Sequence, residues 1–188
     1  MKRMKKLLTG LLTLGMTLSM MTMTAFAAGP TTGTTEKMPT IDFDVNKTGS
    51  ITIHKYEYNG TDGVTGTGAD NQTPPTGAEP LAGVTFKITK IAELNDYYGT
   101  DAKAFPTVEQ AKTMTSIGTP IVQITDENGE AKFNNLSLGL YLVQETDAPA
   151  QITGKVGDFL VSIPMTNADE DDWLYDVHVY PKNKSTYG

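Results

Sequence analysis

Strand alternation brings three side chains of this 188-residue sequence into positions where their chemistry matters. From Ser50 on, Ile51, Ile53 and Lys55 alternate with Thr52, His54 and Tyr56. A strand sends alternate side chains to opposite faces, so the register that buries the two isoleucines also buries Lys55. A lysine on a core face is costly unless it is neutral or paired. In Tyr141-Leu-Val-Gln-Glu145, Tyr141, Val143 and Glu145 share a face, which sets a carboxylate beside apolar residues. In Trp173-Leu-Tyr-Asp-Val-His-Val-Tyr-Pro-Lys-Asn183, Trp173, Tyr175, Val177 and Val179 share a face. The alternation, carried through Pro181, turns Asn183 inward and Lys182 outward. Taken one at a time, these residues have plain readings. Lys55 snorkels, with its stem on the core and its head in water. Glu145 is a strand-end carboxylate, and Lys182 is one more surface lysine.

Other chemistries find less support. His54 and His178 are the only histidines, both on outward faces, and without a helical HExxH pattern they read as solvated strand residues rather than metal ligands. Asn167-Ala-Asp-Glu-Asp171 fails the EF-hand test, because the sixth place is Asp172 and the twelfth His178. It reads as an acidic turn. A hydrolase would need Glu145 paired with Asp176 or Asp147, yet Glu145 faces inward and Asp176 outward, against a paired-carboxylate cleft. No G-x-S-x-G, P-loop or dinucleotide fingerprint occurs, and no cofactor is expected. Five Asn-x-Ser/Thr tripeptides (Asn46, Asn59, Asn71, Asn135, Asn183) are of a kind that arises by chance in a Thr-rich chain.

The elements that must position these residues follow from pattern. A positive start (Lys2, Arg3, Lys5, Lys6), an apolar stretch from Leu7 to Met23 and Ala25-Phe26-Ala27 make a three-part secretory leader, residues 1–27. Its removal leaves 161 residues with 11 Lys+Arg against 22 Asp+Glu, a charge of −11. That charge argues against nucleic acid or anionic membrane as partner. No second apolar run is long enough to span a membrane. The absence of cysteine excludes disulfides, thiolate metal sites and a cysteine nucleophile. Residues 28–49 read as an extended segment and Asn59 to Pro80 as a long surface loop. Strands are expected from Ser50, over Leu81–Ile88, Ile121–Thr125, Ala131–Phe133, Gly139–Glu145, Phe159–Ile163 and Trp173–Tyr180. Asn128-Gly129 signals a hairpin, and Thr107-Val-Glu-Gln110 is a capping box that opens a short helix. Many short strands separated by turns indicate an all-β sandwich of Ig-like type.

The segment from Trp173 to Asn183, centred on Tyr180-Pro-Lys-Asn183, resembles the pilin motif of backbone subunits of sortase-assembled Gram-positive pili. Tyr141-Leu-Val-Gln-Glu-Thr-Asp-Ala-Pro149 is similar to that family's E-box. Pro80-Leu-Ala-Gly-Val-Thr-Phe86 and Ile51-Thr-Ile-His-Lys55 resemble strands of the CnaB type of Ig-like domain. The resemblance covers about Ser50 to Asn183 and implies a CnaB-like domain over 50–183. It also implies two covalent events. Lys182 would be the sortase acceptor, attacking an acyl thioester on the sortase cysteine to form an amide with a neighbouring pilin subunit. Lys55 would join Asn183 in an intramolecular isopeptide bond assisted by Glu145. Burial favours a neutral amine, which is the nucleophilic form, and a neutral acid able to hydrogen-bond the Asn carbonyl and shuttle protons as ammonia leaves. Such a bond would tie the first strand to the last in a chain without cysteine. It is a single self-modification, so the protein is not read as an enzyme.

Backbone pilins of this family continue through further Ig-like domains to an LPXTG-type sorting signal, whereas this sequence stops at Gly188. It is expected to be the N-terminal piece of a longer cell-surface protein, with 184–188 the start of a linker. The rival reading is a CnaB-type module of a surface adhesin that binds a host protein or glycan.

Overall fold

The computed structural model describes residues 46–60, 66–70, 72–98, 102–169 and 172–183. The expected leader, the extended segment up to residue 45 and the linker at 184–188 lie outside the described residues. The strands are β1 (Thr48–His54), β2 (Tyr56–Glu57), β3 (Glu79–Pro80), β4 (Thr85–Ala92), β5 (Ile121–Ile124), β6 (Glu130–Ser137), β7 (Gly139–Asp147), β8 (Phe159–Ile163), β9 (Met165–Thr166), β10 (Trp173–Leu174), β11 (Asp176–Val179) and β12 (Lys182–Asn183). One four-residue helix, α1 (Val108–Ala111), begins at the expected capping box: Thr107 Oγ1 accepts from the Gln110 amide, and the Thr107 amide donates to Gln110 Oε1.

The fold is an all-β sandwich. One sheet has the order β11-β1-β6 and the other β5-β4-β7-β8, with the small sheets β12-β2-β3 and β10-β9 at their margins. Alternation does the building. Ile51, Ile53, Ala131, Phe133, Val177 and Val179 of the first sheet share one core with Val84, Phe86, Ile88, Tyr141, Val143 and Val161 from the second sheet's side. The outer face of the second sheet is covered too. Ile91, Ala92, Leu140, Leu142 and Leu160 pack under Tyr97 and Ala111, with Tyr98, Phe105, Val108 and Met114 at the edge. Covering on both faces explains why all five residues of β8 are buried.

β1 pairs antiparallel with β6 and parallel with β11, so the first long strand and the last lie side by side and run the same way. The turn expected at Asn128-Gly129 is present but does not close a hairpin: β5 pairs with β4 and β6 with β1, so the chain crosses from one sheet to the other there. Asp126 Oδ1 accepts from the amides of Asn128 and Glu130, and Gly129 takes φ 74°. A side chain at Gly129 would collide with the Lys55 carbonyl, so glycine lets this turn close over the end of β1. The expected Trp173–Tyr180 strand is broken at Tyr175. Its first part pairs with β9 and its second with β1, because the Tyr175 carbonyl turns to accept from the Ser50 amide. The expected Leu81–Ile88 strand starts only at Thr85, with Leu81 and Val84 buried ahead of it. No helix among the described residues is long and apolar enough to cross a membrane.

Candidate functional site

Lys55 lies in the one-residue gap between β1 and β2. Its amide donates to the Gly129 carbonyl (2.7 Å) and its carbonyl accepts from the Leu81 amide (2.9 Å). Both anchors fix the backbone, and alternation from Ile51 and Ile53 then drives the side chain into the sandwich. Its relative exposure is 0 %. Glu145 enters from β7, where it is paired in register with Phe86 of β4. Asn183 enters from β12, which runs parallel to β2 with Asn183 opposite Glu57. All three converge. Lys55 Nζ donates to Glu145 Oε2 (2.9 Å) and to Asn183 Oδ1 (2.7 Å), and Asn183 Nδ2 donates to Glu145 Oε1 (2.8 Å). The Val156 amide approaches Glu145 Oε2 (3.4 Å), and the Phe86 ring lies 5.6 Å from Lys55 Nζ.

The triangle is closed. Among the described residues no buried side-chain polar atom lacks a hydrogen-bond partner, so the cost of burying an amine, a carboxyl and a carboxamide is met within the group. Burial pulls the Lys55 pKa from 10.5 down to about 8, an effect only partly opposed by the Glu145 charge and hydrogen bond. A minor neutral fraction, on the order of a tenth, is therefore present near neutral pH, far above that of an ordinary lysine. One expected detail differs. Glu145 was expected to meet the Asn183 carbonyl, but it holds the amide nitrogen, and Lys55 itself holds the carbonyl oxygen. Glu145 thus touches both the amine and the group that would leave.

Lys182 sits beside Asn183 on β12, in register with Tyr56. Alternation turns it outward. It is half-buried, and burial alone lowers its pKa. The cause is the short sheet β12-β2-β3, whose presence alternation within β11 does not reveal. The hydrolase arrangement is absent: both Glu145 oxygens are occupied by Lys55 and Asn183, and Asp176 accepts from the Ser50 hydroxyl (2.7 Å). Trp173 is half-buried, edge-to-face with Tyr98 at 5.6 Å.

The reading of His54 and His178 as solvated strand residues is overturned. His54 is buried, His178 is half-buried, and His54 Nε2 lies 2.8 Å from His178 Nδ1. The parallel register Thr52↔His178 brings them together, and Tyr180 stacks on His54 with ring centroids 4.6 Å apart. Asp70, which no motif singles out, lies beside both.

Residues 46–184 match the family described as Gram-positive pilin subunit D1, N-terminal domain. The chain is 38% identical over 149 residues to fimbrial subunit type 1 of Actinomyces viscosus, covering 77% of this chain and 27% of that protein. It is 34% identical over 164 residues to fimbrial subunit type 2 of Actinomyces naeslundii, covering 76% and 30%. The structure of the full-length major pilin SpaD from Corynebacterium diphtheriae aligns with a TM-score of 0.61 at 40% identity, over 77% of this chain and 34% of that one. The chain thus spans about a third or less of each of these relatives.

Proposed function

The chain belongs to the Gram-positive pilin D1 family, and from that membership we propose that it is the N-terminal domain of a structural subunit of a covalently assembled cell-surface pilus. In this reading it is exported by its leader and is a substrate of a sortase, not a turnover enzyme. The observation that carries the finer reading is the closed triangle of Lys55, Glu145 and Asn183.

The triangle supports one reaction. The neutral Lys55 amine adds to the Asn183 side-chain carbonyl carbon. Glu145 takes a proton from Nζ through Oε2 and delivers one to Nδ2 through Oε1. The Cγ–Nδ2 bond breaks, ammonia leaves, and an amide joins Nζ to Cγ. The fold holds amine and amide in reach, so proximity supplies much of the rate. Exclusion of water raises the share of neutral, nucleophilic amine.

Lys182 is proposed as the sortase acceptor. It has no ion-pair partner among the described residues, so no bond has to be broken before it attacks an acyl thioester. The test is an incubation of the chain with a pilus sortase and a donor bearing a sorting signal. The account expects a covalent adduct mapped to Lys182 and lost in Lys182→Ala. An adduct at Lys184, or none at all, would refute the assignment.

A further inference from the structure

A second cluster lies on the other face of β1, one residue before Lys55. His54 Nε2, His178 Nδ1 and Asp70 Oδ1 form a triangle with sides of 2.8, 3.5 and 3.8 Å. These are three potential metal donors, two nitrogen and one oxygen, and all lie within 4.8 Å of one another. The in-plane point equidistant from the three corners is about 2.0 Å from each, close to the bond length zinc makes to imidazole nitrogen and carboxylate oxygen, so a tetrahedral ion rising out of that plane needs only small side-chain shifts that replace the histidine–histidine hydrogen bond. From this geometry we propose that His54, His178 and Asp70 bind one divalent transition cation of the zinc class, clipping β1, β11 and residues 66–70 together.

The surroundings fit that role. A metal-ligating histidine usually presents its other ring nitrogen to a carboxylate, which fixes the tautomer and orients the ring. Here His54 Nδ1 faces Glu130 Oε1 at 3.4 Å, and Glu130 is held by Lys132 at 2.7 Å through its other oxygen. With a proton on Nδ1, the His54 Nε2 lone pair points away from Glu130, to the side where His178 lies. Tyr180 stacks on the His54 ring within 8° of parallel and sends its hydroxyl to Asp70 Oδ1 (3.4 Å). The backbone of the opposite wall is tied as well, because the His178 amide donates to the Gly68 carbonyl (2.7 Å). The two histidines are shielded while Asp70 is 69% exposed on its side chain. The ion would enter past Asp70, and a water would fill the fourth, outward position. Two imidazoles and a carboxylate suit zinc, with copper and nickel as competitors, and suit calcium or magnesium poorly. Binding shifts the His178 proton from Nδ1 to Nε2 and needs no redox partner.

The experiment is calorimetric titration of zinc chloride into the purified chain at neutral pH, with cobalt absorption as a second readout. The proposal expects one saturable equivalent and an intense tetrahedral-type cobalt band. It expects His178→Gln and Asp70→Asn each to lose at least the roughly tenfold in affinity that removing even an outer-shell partner costs. Asp70 is an exposed side chain, so the Asp70→Asn chain should melt like wild type without metal and show a smaller zinc-dependent rise in melting temperature. That variant decides the matter if His178→Gln fails to fold. Absence of saturable zinc binding would overturn the proposal and leave a hydrogen-bonded histidine pair. Zinc binding that survives both substitutions would overturn it too.

Discussion

Lys55, in the gap between β1 and β2, and Lys182, opposite Tyr56 at the start of β12, are treated by the fold in opposite ways. Lys55 is fully buried with its own hydrogen-bond partners, a carboxylate at 2.9 Å and a carboxamide oxygen at 2.7 Å. Lys182 is half-buried, with no charged partner among the described residues. Burial lowers the pKa of both, but only Lys55 has an electrophile within reach. The difference suggests a division of labour. An amine that reacts within the fold must be enclosed with its electrophile, whereas an amine that reacts between molecules must be left available to one.

The largest effect should come from opening the Lys55 triangle. The proposed reaction requires that in Glu145→Ala the internal amide fails to form, with loss of a cross-link between residues 128 positions apart. By analogy with disulfide loop closure that removes about 5 kcal/mol of stability, to be measured by denaturant unfolding. A loss under about 1 kcal/mol would argue that no cross-link exists in the wild type.

A pH titration sharpens the contrast. In Asn183→Ala no amide can form, so Lys55 remains a titratable amine. Its folded pKa of about 8 lies below the unfolded 10.5, so the unfolded chain binds more protons in that window. Stability of this variant should be lowest below pH 8 and rise between pH 8 and 10.5, by on the order of 3 kcal/mol at most. Wild type, with its amine consumed, should lack that rise.

Gly129→Ala should have an intermediate effect. It forces a side chain into a φ of 74° and against the Lys55 carbonyl. We expect about 1–3 kcal/mol of destabilisation and a smaller fraction of cross-linked chain by intact mass. Lys182→Ala should be the mildest for stability, within about 1 kcal/mol of wild type, while abolishing sortase transfer. A large drop in its melting temperature would show Lys182 to be a structural residue.

Much of this was readable in advance for a physical reason. Period-two alternation is local, so Ile51, Ile53 and Lys55 declare their face without knowledge of the partner strand, and so do Tyr141, Val143 and Glu145. The Asp126–Gly129 turn and the Thr107–Gln110 cap are likewise local. Strand pairing is not. Nothing in the chain near His54 announces that β1 runs parallel to β11, and so the His54–His178 contact and the approach of Asp70 stayed hidden. The half-burial of Lys182 and the break at Tyr175 were missed for the same reason. Each depends on which distant segment lies alongside.

The central claim is that the sandwich encloses Lys55, Glu145 and Asn183 so that they react. Intact-mass spectrometry of the purified wild-type chain and of Glu145→Ala tests it most directly. The account predicts a wild type lighter than its sequence by one ammonia, a Lys55–Asn183 linked peptide on mapping, and a variant at full sequence mass. A wild type at full sequence mass, or a mass loss that persists without Glu145, would contradict it.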